Sequence, residues 1–213
     1  MVVTDIPNPF GAPVYRYQSV DSTMLEALRL VDQGKAPHGT VVMTDFQEAG
    51  QARVPGRRWT SPPGESLLFT LVLNLDSTSG FVTIPFSLLA GLALCRALNP
   101  IVPGVQVKWP NDVLLAGKKC AGILTRVSGG RLYIGLGINC LQRDFSGEYN
   151  YPPYRFSWFL GERFRRKLSC LFFLRSFTAL LRKGGIPANF PILFTERVLN
   201  RWCVRGCRVL KRK

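Results

Sequence analysis

Histidine and acidic residues are scarce in this chain. Its 213 residues include one histidine, His38, and 13 aspartates and glutamates against 28 lysines and arginines. A catalytic triad or a metal site built on His38 would lack its other members, and the flanking Pro37 and Gly39 indicate a loop. The acidic deficit leaves a formal charge of +15. That charge fits either a solvated basic face or an anionic partner, such as nucleic acid, nucleotide phosphates or an acidic protein.

Apolar runs long enough to cross a bilayer are also missing. The longest, Ser66–Leu75 and Ser87–Leu98, are too short or carry polar interruptions. The N-terminus does not show the basic, apolar and small-residue order of a signal peptide. We therefore expect no membrane association and, by default, a cytoplasmic protein. Hydrophobic residues make up 46% of the chain, which excludes global disorder and predicts one core of ordinary size.

The cysteines give no evidence of a disulfide framework. Without a secretion signal we expect them to be reduced, and most lie in apolar stretches where cysteine packs as a small hydrophobic residue. The only close pair lacks a second cysteine or histidine pair with which to form a zinc knuckle. The six positions are Cys95, Cys120, Cys140, Cys170, Cys203 and Cys207.

Hydrophobic periodicity and turn residues predict alternating strands and helices. A helix starts at Asp21–Thr23, where Thr23 and Glu26 fit a capping box. Further helices are predicted at Thr83–Leu98, Ser169–Lys183 and Phe190–Trp202. The predicted strands are Val14–Val20, Thr40–Phe46, Ser66–Leu75, Val105–Trp109, Asp112–Leu115, Lys118–Val127 and Arg131–Cys140. This order indicates an α+β fold with a mixed or antiparallel sheet packed with helices.

A glycine- and arginine-rich tract, Gln47–Gly64, separates two of the predicted strands. It carries Arg53, Arg57, Arg58 and Trp59 among glycines. Glycine lets the backbone approach a ligand closely, and the planar guanidinium of arginine matches phosphate or carboxylate. The tract is therefore either an anion-binding loop or a mobile surface loop with solvated arginines.

Two further segments carry charge or glycine at unusual places. Lys108–Asp112 forms a tight turn before Lys118–Leu124, and a hairpin there would let Lys108, Asp112 and Lys119 converge; a solvated surface pair is the alternative. Ile134–Asn139 places two glycines inside an apolar strand. Such glycines mark close approach by a backbone or a ligand, or else a bulge.

Together with Asp21–Thr23, these segments resemble the signature of the biotin–protein ligase family. Members of that family typically show D-S-T-N, then Q-x-x-G-R-G-R-x-G-R-x-W, then K-W-P-N-D with K-x-A-G-I-L, and finally G-x-G-x-N. Corresponding segments occur here in the same order over roughly residues 14–140. The pairing of K-W-P-N-D with K-x-A-G-I-L is the most specific part of the match.

The resemblance implies a fold like the catalytic core of class II aminoacyl-tRNA synthetases, together with two-step chemistry. Biotin and ATP, with Mg²⁺, would give biotinyl-5′-AMP and pyrophosphate. The biotinyl group would then pass to a lysine of a biotin carboxyl carrier protein or domain. The resemblance implies no specific DNA partner and no membrane partner, and it leaves a homodimer open.

The resemblance also assigns roles to residues, position by position. Catalysis falls to Arg53, Lys119 and Asp112, and Asp112 is also the candidate metal ligand. The biotin-binding residues are Ser22, Thr23, Met24, Gln47, Gly50, Gln51, Arg53, Lys119, Gly122 and Gly135. The ATP-binding residues are Arg53, Arg57, Trp59, Lys108, Asn111 and Asn139.

The chain departs from the family pattern at several points. Met24 stands where the family often has asparagine, Gln51 and Ala52 replace an Arg-Gly pair, and one extra residue precedes Trp59. We expect residues 1–200 to form the catalytic domain. Residues 201–213 would be a basic tail, the remnant of or lead into a missing small C-terminal β-barrel. No N-terminal helix-turn-helix domain is expected.

Three other functions remain open from the sequence. The chain could be a lipoate-type ligase or transferase of the same superfamily, or a biotin-binding relative with weak or no ligase activity. A basic nucleic-acid-binding module is an answer of a different class. It would need stacking aromatics interleaved with the basic residues on one sheet face.

Overall fold

A computed structural model of the chain describes residues 1–75, 83–142, 145, 173–179 and 209–210. The helices in these ranges are α1 (Thr23–Asp32), α2 (Thr83–Leu98) and α3 (173–179). The strands are β1 (Val2–Val3), β2 (Val14–Val20), β3 (Val41–Gln47), β4 (Gly50–Gln51), β5 (Arg58–Trp59), β6 (Ser66–Asn74), β7 (Val105–Lys108), β8 (Asp112–Leu115), β9 (Lys118–Ser128), β10 (Arg131–Asn139) and β11 (Val209–Leu210).

Every predicted strand is confirmed, with ends that shift by at most one residue. The helix predicted over Thr83–Leu98 is also confirmed. Of the helix predicted over Ser169–Lys183, the described part, 173–179, is helical. The helix predicted at Phe190–Trp202 lies outside the described residues.

One large mixed sheet carries the architecture, with strands in the order β1-β2-β3-β6-β10-β9-β8-β7-β11. The pairs β2–β3 and β7–β11 are parallel, and the remaining pairs are antiparallel. Helices pack on both faces of this sheet, so the predicted α+β class is confirmed. Strand β11 lies within the segment predicted as a basic tail and forms one edge of the sheet, where it pairs with β7.

Strict alternation along the central strands divides the sheet into two faces. In β6, Leu67, Phe69 and Leu71 point into the main core, which α2 and α3 cover. Thr70 and Val72 point to the opposite face, where α1 packs. A one-residue slip of β6 would exchange these two sets, so burial of the apolar set also determines where Thr70 lies.

Helix α1 covers only part of its face of the sheet. Its apolar stripe of Met24, Ala27 and Leu30 is buried in a second, smaller cluster. The strand residues of that cluster include Val42, Val72 and Tyr133. The sheet beyond Met24 has no helix above it among the described residues, which leaves room for a cavity.

The capping-box prediction at the start of α1 is wrong in its assignment. Ser22 is the N-cap, and its side-chain oxygen accepts a hydrogen bond from the backbone N–H of Met24. A cap of this kind contributes about 1 kcal/mol to helix stability. The hydroxyl of Thr23 instead turns towards strand residues, where it takes part in the site described below.

The tract predicted as a plain loop, Gln47–Gly64, contains a small hairpin. Strands β4 and β5 pair with each other, so that Gly50 lies opposite Trp59 and Gln51 opposite Arg58. The sequence does not reveal these strands because each has only two residues, too few to show a period. The hairpin brings Trp59 back over the sheet.

Two predictions from composition are also tested. No helix among the described residues is long and apolar enough to cross a membrane. Cys95, Cys120 and Cys140 are buried in the core, as expected for cysteines that pack as small hydrophobic residues. Burial raises the pKa of the Cys120 thiol well above its usual value, which keeps it protonated at neutral pH.

The start of α1 is stabilised by an ion pair whose strength depends on pH. Arg29 pairs with Asp21 and holds the pKa of that carboxyl below its usual value, and Asp21 also accepts the backbone N–H of Ser22. A carboxyl whose pKa is lowered by folding stabilises the fold above its unfolded pKa of about 4, and this contribution is lost as pH falls further.

We predict that Asp21→Asn lowers the free energy of unfolding at neutral pH. The variant keeps an acceptor for Ser22 but loses the charge that pairs with Arg29. The gap between wild type and variant should close as pH falls below about 4. Urea unfolding at a series of pH values measures this gap, and a gap that stays constant down to about pH 2.5 would contradict the prediction.

Candidate active site

A cavity of about 330 Å³ opens on the face of the sheet that α1 leaves partly uncovered. Strands β6, β9 and β10 form its floor, the start of α1 forms one wall, and the β4–β5 hairpin with its loop lies over it. Its lining includes Ser22, Thr23, Met24, Gln47, Gln51, Arg53, Arg57, Arg58, Trp59, Thr70, Asn111, Asp112, Lys119, Gly122, Leu124, Gly135, Gly137, Asn139 and Phe145.

Small residues form the floor. Gly135 lies opposite Thr70 on one side and Leu124 on the other, and Gly137 lies opposite Gly122. The register of β10 is unbroken against both neighbours, so the bulge considered for its glycines is wrong. The other interpretation expected a backbone or a ligand close to these glycines, whereas the atoms that lie closest to them belong to side chains.

The indole of Trp59 approaches Gly137 and Gly122, whereas Gly135 is approached by the side chain of Met24. A Cβ atom on Gly137 would lie 2.6 Å from the indole, and one on Gly122 would lie 2.9 Å from it. Gly50 supports the same residue from the hairpin, since a Cβ there would lie 2.3 Å from the carbonyl oxygen of Trp59. Any larger residue at these positions would push the indole away from the sheet.

A cluster of uncharged polar side chains lies at the end of the floor that is next to α1. The amide oxygen of Gln47 accepts hydrogen bonds from the backbone N–H of Thr23 at 2.8 Å and from its hydroxyl at 3.1 Å. The Thr70 hydroxyl lies 2.9 Å from that of Thr23. Met24 adds an apolar surface here, with its methyl group 3.1 Å from the position of a Cβ on Gly135.

A cluster of charged side chains lies at the opposite end of the cavity, near β8. The ammonium of Lys119 pairs with Asp112 at 2.7 Å and stands 5.9 Å from the centre of the Trp59 ring. Arg53 reaches the same place from the loop, and its Nε donates to the side-chain oxygen of Asn111 at 3.1 Å. Asn111 is itself held by β9, because its Nδ2 donates to the carbonyl of Ile123 at 2.9 Å.

Charge in the cavity lining is strongly one-sided. Among the described residues of the lining, Arg53, Arg57, Arg58 and Lys119 contribute four cationic side chains, whereas Asp112 is the one carboxylate. Nothing in the described part of the chain gathers three carboxylate, thiol or imidazole side chains as a protein-only metal site requires. This arrangement favours the anion-binding interpretation of the arginine-rich tract over a solvated loop.

All predicted site residues except Gly50 and Lys108 line this cavity. Gly50 lies behind Trp59, and Lys108 is a buried residue of β7 opposite Asp112. Arg53 and Lys119, which lie far apart in the sequence, share the cavity as the prediction requires. The sequence assigns no role to Thr70 or Gly137. Alternation in β6 and the second glycine of Ile134–Asn139 are the signals that could have found them.

Comparison with known proteins gives a consistent result. The model of the biotin/lipoate A/B protein ligase family matches residues 16–141. The bifunctional ligase/repressor BirA of Bacillus spizizenii is 34% identical over 159 residues, 70% of this chain and 48% of that protein. The biotin–[acetyl-CoA-carboxylase] ligase of Paracoccus denitrificans is 38% identical over 127 residues, 56% of this chain and 51% of that protein.

Solved structures show the same relationship. The biotin protein ligase from Aquifex aeolicus, in complex with biotin and ATP, matches with a TM-score of 0.67 and 30% identity, covering 80% of this chain and 70% of that one. The chain spans about half the length, or less, of the curated relatives it matches first.

We predict that Gly137→Ala displaces the Trp59 indole and that Gly135→Ala does not. The added methyl group meets a rigid ring at 2.6 Å in the first variant but only the flexible end of Met24 at 3.1 Å in the second. Acrylamide quenching of tryptophan fluorescence, with Trp59→Phe to isolate the signal of Trp59, measures its exposure. Equal quenching in both glycine variants would contradict the prediction.

Proposed function

The chain belongs to the biotin/lipoate A/B protein ligase family, and on this basis we propose that it is a biotin–protein ligase. It forms biotinyl-5′-AMP from biotin and ATP and then transfers biotin to a lysine of a carboxylase carrier domain. The single observation that carries this proposal is the cavity that joins an uncharged polar group to a cluster of four cations over a glycine floor. The relatives that the chain resembles are named for this activity.

The two sides of the cavity suit the two ends of biotin. Gln47, Thr23 and Met24 offer hydrogen bonds and an apolar surface to the ring system, and Ser22 caps the helix that carries Thr23 and Met24. Gln51 and Gly50 belong to the hairpin beside these residues, and Gly122 and Gly135 form part of the cavity floor on which the ligand would lie. The carboxylate end of biotin then points to the cations.

In the first step two anions must react with each other. The biotin carboxylate attacks the α-phosphorus of ATP, a bond forms from carboxylate oxygen to phosphorus, and the bond to pyrophosphate breaks. Lys119 and Arg53 offset the repulsion between the anions and stabilise the charge on the α-phosphate. Arg57 and Trp59, with Asn111 and Asn139, complete the nucleotide side of the site, whereas the predicted residue Lys108 lies outside the cavity lining.

Magnesium fits the donor set only as an ion held mainly by the nucleotide. Asp112 would be its protein carboxylate, with the remaining ligands from phosphate and water, as is usual for Mg²⁺ in nucleotide sites. When bound, the ion neutralises charge on the pyrophosphate that leaves. In this structure the ammonium of Lys119 pairs with Asp112. Substrate anions that enter the cavity compete with Asp112 for this ammonium, and Lys119 can then move to them.

The second step needs a neutral lysine from the acceptor. Its amine attacks the carbonyl carbon of the adenylate, and AMP leaves. Asp112 lies in the cavity and can orient that amine and accept its proton once Lys119 has moved. A carrier domain with acidic surface charge suits the +15 charge of the chain.

The proposed catalytic domain spans residues 1–200, and the family match within it covers 16–141. A cytoplasmic location follows from the carboxylase acceptor.

We predict that the protein catalyses biotin-dependent exchange between pyrophosphate and ATP. Lys119→Met should lower the exchange rate by about 100- to 1,000-fold, because it removes a preorganised cation at the reacting phosphate. The matched control is Lys118→Met, since Lys118 is the exposed neighbour outside the cavity and its loss should change little. Exchange without biotin, or equal loss in both variants, would contradict the assignment.

The family model also covers lipoate enzymes, so the substrate needs a direct comparison. Biotin and lipoate are therefore tested against each other in the same exchange assay. Because the hydrogen-bonding side chains around Gln47 favour biotin, we expect exchange to depend on biotin rather than on lipoate. Exchange that depends on lipoate rather than biotin would make the chain a lipoate ligase. Binding of biotin without any exchange would make it a non-catalytic relative.

We predict that Gln51→Arg slows the escape of the adenylate. Gln51 is exposed on the hairpin over the cavity, where the family signature has arginine. An added guanidinium there would strengthen the hold of the loop on an anionic intermediate. Retention of labelled biotinyl-5′-AMP after rapid gel filtration measures this, and equal retention in both proteins would count against it.

A further inference from the structure

Thr70 is a buried residue of β6 that no signature motif contains. It is fully buried, lines the cavity and faces Thr23 across the floor. On the basis of the proposed function, we infer that Thr70 is a positioning residue for biotin, acting through Thr23 on the amide of Gln47.

The direction of the hydrogen bonds follows from which atoms can donate. The backbone N–H of Thr23 can only donate, so the atom of Gln47 that it contacts at 2.8 Å must be the amide oxygen. The hydroxyl oxygen of Thr23 lies 3.1 Å from the same amide oxygen. Because the amide oxygen can only accept, the single hydroxyl proton of Thr23 must point towards it. The proton between Thr70 and Thr23 must then come from Thr70.

This one-way chain determines what Gln47 presents to a ligand. Its oxygen is occupied by two donors, and its NH₂ group is turned away from Thr23. The amide nitrogen lies beside Gly50, 2.9 Å from the position of a Cβ there. The NH₂ group is therefore the part of this amide that can donate to an acceptor oxygen of a ligand, such as the ring carbonyl of biotin.

Thr70 keeps this arrangement in place. Without its proton, the Thr23 hydroxyl can rotate, and one of the two bonds to the Gln47 oxygen is no longer enforced. Buried hydroxyl chains polarise one another, so the loss is felt at Gln47 although Thr70 need not touch the ligand there. One lost hydrogen bond of this kind corresponds to about a five- to tenfold change in affinity.

The test compares two substitutions at Thr70. Thr70→Val keeps the shape but removes the proton, and Thr70→Ser restores it. Isothermal titration with biotin alone should show Kd raised about five- to tenfold in the valine variant and nearly wild-type in the serine variant. In the exchange assay the KM for biotin should rise, with the KM for ATP unchanged.

Thr44→Val provides the matched control. Thr44 is a buried threonine on the neighbouring strand β3, outside the cavity lining, and its hydroxyl donates to the carbonyl of Phe46 at 3.0 Å. Its substitution removes a buried hydroxyl at a similar cost to stability, without contact to Thr23. Its Kd for biotin should stay within about twofold of wild type, below the effect of one lost hydrogen bond at the site.

Every outcome bears directly on the role of Thr70. Unchanged biotin affinity in Thr70→Val, an equal loss in Thr44→Val, or no recovery in Thr70→Ser would overturn that role. If the wild-type chain binds no biotin, the proposed function itself fails, and the inference fails with it. If the Thr70→Val variant does not fold, Thr70→Ala replaces it and is judged by the same criteria.

Discussion

Contact between Trp59 and the glycines of the sheet is the constraint on which the site depends. Alternation would place a side chain at Gly137 and at Gly122, and either one would meet the indole below 3.0 Å. Because both are glycine, the indole lies against the backbone of β9 and β10 and brings the hairpin down over the cavity. The hairpin in turn carries the arginines of the loop, so the cationic side of the cavity rests on the same contact.

Repulsion among the cationic side chains of the cavity would be unfavourable unless neighbouring groups offset part of their charge. Among the described residues that line the cavity there are four cations and one carboxylate, Asp112, which pairs with Lys119. Arg53 is restrained instead by the neutral side chain of Asn111. A dianionic ligand would replace these partial arrangements with charge-assisted bonds, which are about twice as strong as neutral ones. The excess of cationic side chains in the lining therefore favours binding of nucleotide phosphates over neutral ligands.

Much of the fold and of the candidate site could be predicted from the sequence, for definite physical reasons. Strands such as β6 and β10 are long and apolar, so the hydrophobic pattern predicts them. The motif Lys108–Asp112 gains specificity because it is followed by Lys118–Leu124. The errors lie where several local solutions compete. Ser22 and Thr23 can both cap a helix, and only the contact of Thr23 with Gln47 decides that Ser22 does so. The hairpin of β4 and β5 forms because Trp59 packs on the sheet, which no local pattern could reveal.

Thr70 shows why a second layer of a site escapes motif analysis. In the sequence it is one polar residue within an apolar strand, and such residues are common on the less buried face of a sheet. Its position becomes meaningful only when β6 lies beside β10 and α1 brings Thr23 within 2.9 Å. Most of the predicted site residues that belong to the signature line the cavity itself. The residues that orient them are specified by register and packing, and hydrogen-bond direction is the argument that identifies them.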